Sequence, residues 1–279
     1  SYYRVEGHVT VAGPEAPMLT LEAGIMLKFD KGSGLFVGSD TVGGAIHADG
    51  SGPAGEITLT QVQEGAFYRW AGLFLGPTAD ATRSVLRRVS LFSGGSATTW
   101  RESSWYGNLN LDGCSPTILS CTASSSARHG IQLSSGTAVI SDCLFADNSQ
   151  YGLYVTGGSP TIARCRFERN GNSYGDVYLS GGSTPLIRNC RLSSSNKYGI
   201  YAEDASPLVR ETTLENHQYG LYVKGSGATP RITRSIIRTN QIGVYNASGG
   251  RPIVGGAPGE GNEIYGNSSF GIQNINRYC

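Results

Sequence analysis

The chain has 279 residues, of which 40 are glycine and only 15% are charged, and its formal net charge is +1. Such a small charge gives no bulk attraction to nucleic acids or membrane surfaces, and the composition suits a turn-rich all-β protein rather than a disordered chain. The small net charge therefore predicts no nucleic-acid partner. Because no apolar run reaches the length of a transmembrane helix, we also expect no membrane span.

Residues 1–18 show no regular alternation of apolar and polar side chains, and they contain Gly13-Pro14 and Pro17. The repeats described below predict a solenoid, whose open end must be covered because its first coil would otherwise present unpaired backbone groups. We therefore interpret residues 1–18 as an N-terminal lead-in and cap. One elongated domain is predicted to follow over residues 19–279.

Alternating apolar and polar residues begin at Leu19 and predict a series of strands up to residue 60. Two later stretches, 61–69 and 95–106, break this pattern, and the second contains Trp100 and Trp105. We expect both stretches to be long loops that leave from one corner of the fold. Insertions of this kind are where solenoid proteins commonly carry their function.

One sequence pattern is repeated five times between residues 151 and 246, each copy with a glycine, apolar residues and an outward tyrosine. The repeat glycines are Gly152, Gly175, Gly199, Gly220 and Gly243, and weaker copies surround Gly107, Gly130 and Gly271. A period near 22 residues without a helical pattern predicts stacked supersecondary units. None of these units could bury its apolar face alone.

Each copy is predicted to form three short strands and three corners, which is one coil of an all-β parallel β-helix. In the copy after Gly152, the alternation places Ile162, Cys165 and Phe167 inward, with a corner at residues 163–164. The equivalents of Ile162 in the other coils are predicted to be Ile118, Val139, Ile187, Val209 and Ile232. A turn asparagine is expected in each coil, at Asn148, Asn170, Asn196, Asn216, Asn240 and Asn267.

The register Pro-x-Ile-x-x-Cys-x-Phe-x-x-Asn, followed by Gly-Ile/Leu-x-Val, resembles the right-handed parallel β-helix repeat of the pectate-lyase-like superfamily. The resemblance covers about Leu19 to Ile275 and is closest to the bacterial surface or secreted type. It implies a right-handed solenoid and a secreted or cell-surface location. It leaves the function open, since the family includes lyases, hydrolases, epimerases, adhesins and non-catalytic surface proteins.

The six cysteines include four at one predicted core position, namely Cys121, Cys143, Cys165 and Cys190. We expect free, buried thiols, because in-register neighbours have parallel Cα–Cβ vectors that suit a disulfide poorly. A disulfide staple or a metal channel is the alternative. Without a Cys-x-x-Cys motif or histidines at ligand spacing, no metal and no cofactor are predicted. Cys114 and Cys279 lie too many coils apart to bond, so six free thiols are expected.

One tyrosine in each coil is predicted to point outward from the same sheet, and the five are Tyr154, Tyr178, Tyr201, Tyr222 and Tyr245. One interpretation is a platform for an extended polysaccharide, because sugar C–H groups stack on aromatic rings and hydroxyls bond to the tyrosine oxygen. The alternative is an aromatic ladder that stabilises the sheet. A second tyrosine row beside the glycines, Tyr151, Tyr174, Tyr198 and Tyr219, favours the ladder.

Asp176, Glu203 and Lys224 are the weak catalytic candidates that we place on this face. Glycoside hydrolysis would need two carboxylates about 5–9 Å apart, and uronate elimination would need a basic residue. An ion pair between Glu203 and Lys224 in neighbouring coils is the other interpretation.

Arginines and acidic residues alternate along a different sheet, which predicts ion pairs between coils more than an anion-binding strip. Together these patterns predict a secreted or surface-displayed, monomeric β-helix that binds or scaffolds, with polysaccharide as the ligand of the tyrosine row. The alternative is a polysaccharide-active lyase or glycoside hydrolase acting on the same face, and the sequence leaves open whether the protein is an enzyme.

Overall fold

The computed structural model describes residues 1–100, 103–171, 173–193 and 197–275. They form a parallel β-helix in which successive coils each contribute short strands to three long sheets. One short 3-10 helix, Ala66–Tyr68, lies in the first of the two predicted insertions. The predicted all-β solenoid with three strands per coil is therefore confirmed.

The three sheets are parallel throughout. Sheet 1 contains Tyr3–Val5, Met26–Phe29, Ile57–Gln61, Val89–Phe92, Thr122–Ser124, Leu144–Ala146, Arg166–Glu168, Arg191–Ser193, Thr213–Glu215, Ile236–Arg238 and Glu263–Tyr265. Sheet 2 contains His8–Val11, Gly34–Val37, Gly72–Leu75, Gly107–Leu111, His129–Leu133, Tyr151–Val155, Gly175–Leu179, Tyr198–Glu203, Tyr219–Lys224, Ile242–Ser248 and Phe270–Asn274. Sheet 3 contains Met18–Leu21, Ala45–Asp49, Val85–Arg87, Thr117–Leu119, Val139–Ser141, Thr161–Ala163, Leu186–Arg188, Leu208–Arg210, Arg231–Thr233 and Ile253–Val254.

The stretch 1–18 was expected to be irregular, but it already contributes strands to the ladders. Tyr3–Val5 pairs in parallel with Met26–Phe29, and His8–Val11 pairs with Gly34–Val37. The alternation is weak here because most side chains of this first coil are exposed, so polar residues occur on both faces. A capping role for residues 1–18 stays a prediction.

A continuous apolar core runs along the axis between the three sheets. Ile162, Cys165 and Phe167 are fully buried in it, as the repeat pattern predicts, and Phe145 stacks on Phe167 with ring centroids 4.5 Å apart. The prediction for Val139 is wrong, because this side chain is 42% exposed and Ile140 pairs with Ile118 and Ile162 instead.

The cysteine column lies at the corner between sheets 3 and 1. The backbone N–H of Cys121 donates to Cys143 Sγ at 3.4 Å, and that of Cys165 donates to Cys190 Sγ at the same distance. A side-chain hydrogen bond with Cys143, together with burial, raises the pKa of Cys165 to about 12, which keeps this thiol protonated at neutral pH. The described cysteines are free and buried, as predicted, whereas Cys279 lies outside the described residues.

The predicted ion pairs between coils are confirmed along sheet 1 and its corners. Arg164 contacts Asp142 at 2.7 Å, and both are corner residues with positive φ angles of 53° and 58°. Arg191 and Arg238 approach the buried Glu215 from the coils on either side, at 2.6 Å and 2.8 Å. Arg164, Arg191 and Arg238 are thereby paired with acidic neighbours rather than arranged as a free cationic strip.

Candidate functional site

The five predicted tyrosines form one outward row on sheet 2. The strand register pairs Tyr154 with Tyr178, and the pairing continues through Tyr201, Tyr222 and Tyr245 without a break. All five side chains are half-buried, because the strands place them on the outer surface while neighbouring rings cover part of each. We call these five residues the tyrosine row.

The rings of the row are not equally available to a ligand. Tyr154 lies between His129 and Tyr178, with centroid distances of 4.4 Å and 4.8 Å and interplanar angles of 11° on both sides. Both faces of the Tyr154 ring are therefore occupied by neighbours. This residue presents its edge and its hydroxyl to solvent, not a face on which a sugar could stack.

Tyr201 is turned out of this stack. Its ring is nearly perpendicular to that of Tyr178, at 89°, and stands at 75° to that of Tyr222. The centroids of the Tyr178 and Tyr201 rings are 5.2 Å apart in an edge-to-face arrangement. Neither neighbour in the row stacks in parallel on Tyr201, although the Tyr198 ring lies 4.8 Å from it at 44°. This ring is therefore a candidate for stacking with a ligand.

Hydroxyl groups of the row differ in their partners. The Tyr178 hydroxyl donates to Glu203 Oε2 at 2.7 Å. The hydroxyls of Tyr154, Tyr222 and Tyr245 have no hydrogen-bond partner among the residues that the structure describes, although each ring is held by ring contacts. These three hydroxyls can therefore both donate and accept hydrogen bonds with a bound molecule.

Glu203 and Lys224 lie at the rim of the row and contact each other, as one of the two interpretations predicts. Lys224 Nζ donates to Glu203 Oε1 at 2.6 Å. This bond and that from Tyr178 lower the pKa of Glu203, and the bond to Glu203 raises the pKa of Lys224. Glu203 is thus held as a carboxylate and Lys224 as an ammonium, which suits neither a general acid nor a neutral basic catalyst.

Asp176 does not lie on this face, contrary to the sequence-based placement. The register pairs Tyr151 with Gly175, so Asp176 occupies the position that Gly152 and Gly199 hold in the adjacent coils. Its carboxylate is fully buried. Gly175 was mistaken for the repeat glycine because an inserted residue shifts the pattern by one position, and Gly107 is displaced in the same way.

The Asp176 carboxylate completes a column of buried polar side chains at the corner between sheets 1 and 2. Asn170 Nδ2 donates to Asp176 Oδ1 at 2.9 Å, and His217 Nε2 lies 3.0 Å from Asp176 Oδ2. Elsewhere in the column, Asn148 bonds to Asn170 and Asn240 bonds to Asn267. Burial raises the pKa of Asp176, opposed by its bond to His217.

The predicted turn asparagines therefore have a different role from the one expected. Asn148, Asn170 and Asn240 are buried in this column, and the left-handed backbone angles belong to the residues before them, such as Asp147 and Arg169. Asn216 does have a positive φ of 65°, but it is exposed and His217 takes the column position. Asn196 lies outside the described residues.

The same outward row of sheet 2 continues towards the N-terminus with different residues. Phe36 pairs with Phe74, Phe74 with Asn110, and Asn110 with Gln132, which adjoins Tyr154. The two phenylalanine rings stack at 4.5 Å and are buried beneath Trp100 and Trp105. These tryptophans belong to an antiparallel hairpin, Thr98–Trp100 with Ser103–Trp105, formed by the second predicted insertion.

A groove of about 380 Å³ lies where this hairpin meets the tyrosine row. Sequence reasoning missed most of its residues, although the insertion at 95–106 and its two tryptophans indicated the region. The groove is lined by Ser104, Tyr106, Arg128, His129, Gln132, Gln150, Tyr151, Tyr154, Tyr174 and Tyr178. It joins one charged side chain to tyrosines of both predicted rows.

Two further observations bear on partners. Among the residues that the structure describes, no three His, Cys, Asp or Glu side chains come together in a way that could hold a metal ion. Within the same residues, no helix has the length and apolar character needed to cross a membrane.

Comparison with known proteins supports the fold. Residues 107–268 match the family model described as a right handed beta helix region, in agreement with the predicted handedness. Among solved structures, the chain is similar to the Dettilon tailspike protein gp208, with a TM-score of 0.53 and 11% identity over 99% of this chain. That alignment covers 64% of the tailspike chain, so the present chain spans less than two thirds of it.

Two other solved structures match the chain at lower similarity. The pectate lyase Pel9A gives a TM-score of 0.42 and 12% identity, covering 99% of this chain and 75% of that one. ORF18 of Geobacillus virus E2 gives a TM-score of 0.34 and 13% identity, covering 98% and 53%. None of the curated proteins matches this chain. At such identities the likeness concerns the fold alone.

Proposed function

We propose that this chain, which belongs to the right-handed β-helix family, is a secreted or surface-displayed protein that binds an extended polysaccharide along its tyrosine row. The observation that carries the proposal is the set of half-exposed tyrosines, one per coil, in which Tyr154, Tyr222 and Tyr245 have hydroxyls without a partner among the described residues. A row built only for stability would not need such groups at its surface.

The geometry favours binding through hydroxyls and ring edges, with stacking at one place. Tyrosine oxygens can donate and accept hydrogen bonds, which matches the hydroxyl groups of sugars. Tyr201, the ring turned out of the stack, can pack against the C–H face of one sugar residue. At about 4.8 Å for each coil, the row extends roughly 20 Å, enough to contact several sugar residues in succession.

A polysaccharide-active lyase or glycoside hydrolase on the same face is the alternative. It would require a carboxyl group with a raised pKa as the acid, or a basic residue with a lowered pKa. Glu203 and Lys224 have shifts in the opposite directions, and Asp176 is buried away from the row. The arrangement therefore supports binding better than catalysis.

The decisive experiment measures binding of the wild-type protein and of Tyr201→Ala to a broad polysaccharide panel. We expect Tyr201→Ala to weaken binding about tenfold, or roughly 1.4 kcal/mol, with little change in melting temperature. Tyr265→Ala is the matched control, because this exposed tyrosine lies on sheet 1. Its binding affinity should equal that of the wild-type protein.

Two outcomes would contradict the proposal. If no polysaccharide binds at millimolar concentration, carbohydrate is not the ligand. If Tyr201→Ala lowers the melting temperature without changing any affinity, the row is a stabilising ladder. Reducing-end and unsaturated-uronate assays on the same panel test the enzyme alternative, in which Glu203→Gln would abolish turnover and leave affinity nearly unchanged.

A further inference from the structure

Gln132 and the hairpin form a wall at one end of the tyrosine row, next to the groove. Gln132 Nε2 donates to the Ser104 backbone oxygen at 3.2 Å, and the Tyr106 backbone N–H donates to Gln132 Oε1 at 3.0 Å. Beyond Gln132 the outward row of sheet 2 continues with Asn110, Phe74 and Phe36, all buried. A linear chain lying along the row meets this wall, and the groove in front of it can accept a chain end.

Arg128 is the charged residue of this groove. Its guanidinium carbon lies 3.8 Å from the centroid of the Tyr106 ring, and its side chain is exposed. It forms no ion pair with any residue in the described part of the chain. A guanidinium held against an aromatic ring keeps its planar face fixed while its N–H groups stay available to a ligand.

The remaining lining leaves that positive charge uncompensated. Burial, with a contribution from Arg128, lowers the pKa of His129 to about 3, so this imidazole is neutral. Burial raises the pKa of Tyr151, Tyr154 and Tyr178, so their hydroxyls do not ionise near neutral pH. No Asp or Glu lies among the residues that line the groove.

Two polar groups of the lining also lack partners. His129 Nδ1 is buried without a hydrogen bond to any described residue. The side-chain amide of Gln150 likewise makes no hydrogen bond within the part of the chain that is described, although its backbone N–H donates to the Arg128 oxygen at 2.7 Å. A buried polar atom without a partner calls for a water molecule or a ligand to complete it.

From these observations we propose that the groove is a terminal subsite for an acidic sugar residue, whose carboxylate pairs with Arg128 while the rest of the chain follows the tyrosine row. The proposal deepens the proposed function and rests on it. A carboxylate can take two parallel N–H bonds from a guanidinium, and the Gln150 amide can bond to the sugar hydroxyls. The closed wall restricts this recognition to a chain end.

The test uses three oligosaccharides with the same backbone: one that ends in a uronic acid, its carboxyl-reduced form, and one with the uronic acid at an internal position only. We expect the wild-type protein to bind the first about 10–100 times more tightly than the second, the range of a charged hydrogen bond. The third should bind like the carboxyl-reduced form.

Arg128→Gln should remove this preference while binding the carboxyl-reduced form as the wild-type protein does. Arg210→Gln is the matched control, because Arg210 lies on sheet 3, away from the groove. Equal wild-type affinity for the uronate-ended and carboxyl-reduced forms would overturn the acidic subsite, and preference for the internal acid would overturn the chain-end restriction. Both results leave the dependence on Tyr201 intact, whereas a failure of all glycans to bind would reject the proposed function itself.

Discussion

The outward row of sheet 2 differs between the N-terminal coils and the later coils. Near the N-terminus it contains Phe36 and Phe74, stacked at 4.5 Å and buried under a hairpin that carries two tryptophans. In the later coils the same row contains five tyrosines, whose rings also contact one another but stay half-exposed. Identical strand geometry thus produces a covered aromatic cluster in one region and an open surface in the other.

The difference follows from the tyrosine hydroxyl group and from the hairpin that covers only one end of the row. A phenylalanine ring contributes most to stability when it is fully removed from water, whereas a buried tyrosine hydroxyl needs a hydrogen-bond partner. The hairpin covers Phe74, which needs no such partner, and ends before Tyr154. A periodic aromatic row is therefore not by itself a binding site or a structural ladder, because its role depends on what covers it.

The largest effect should come from the covered end. Phe74→Ala should lower the free energy of unfolding by about 3–5 kcal/mol, because it removes a fully buried ring from between Phe36 and Trp100. Tyr222→Ala is the matched change at the open end, and we expect it to cost only about 0.2–1 kcal/mol. Urea unfolding of both variants measures the two values.

Glycan affinity should change in the reverse order for this pair of variants. Phe74→Ala is expected to retain binding at temperatures where the protein is folded, whereas Tyr222→Ala should bind more weakly. Equal losses of stability at the two ends would remove the distinction between a covered cluster and an open row.

An intermediate effect is expected beneath the tyrosine row, at Asp176. Asp176→Gly should destabilise the protein by about 1–3 kcal/mol, because it leaves Asn170 Nδ2 and His217 Nε2 buried without their hydrogen-bond partner. Asp176→Asn is the control, since an amide can accept from Asn170 and can also form a hydrogen bond with His217 Nε2. Thermal unfolding of the two variants checks the difference, and comparable losses for both would show that the polar column does not support this part of the sheet.

The smallest effect should come from the rim of the open row. Lys224 lowers the pKa of Glu203, so the ion pair contributes stability above the unfolded pKa of about 4.3, and this contribution is lost as pH falls through the lower folded pKa. Glu203→Gln should remove that pH dependence and lower the melting temperature at pH 7 by roughly 1–2 °C. Melting curves between pH 3 and 7 provide the measurement. If the melting temperature of the variant falls with decreasing pH as steeply as that of the wild-type protein, other carboxyl groups cause the pH dependence.

Most of the fold could be predicted from the sequence because the coil repeats its side-chain pattern. Ile162, Cys165 and Phe167 are inward because alternation and the corner between them set their directions. Val139 was misplaced because Ala138 stands where the aligned strands have a proline, so the marker of the strand start is missing. Asp176 was misplaced for a related reason, since the nearest glycine is not the one in register.

The candidate site was predictable only where it follows the repeat. The tyrosine row is periodic, so its exposure and spacing could be derived from Tyr154 onwards. The groove joins Tyr106 from a non-repeating insertion to Arg128 from a turn, and nothing in their local sequence indicates that they meet. The orientation of each ring could not be predicted either, because the angle between Tyr201 and its neighbours depends on side-chain packing.

Backbone pairing between coils gives the tyrosine row a fixed unit of length. Each coil advances by one strand spacing, about 4.8 Å, whatever side chain it carries. Substitutions can change the side chain at each position of the row, but only the gain or loss of a whole coil can change the number of positions. A polymer whose own period is not commensurate with that interval falls out of phase within a few residues. Under the function proposed above, the solenoid would favour polymers whose repeat matches the coil spacing.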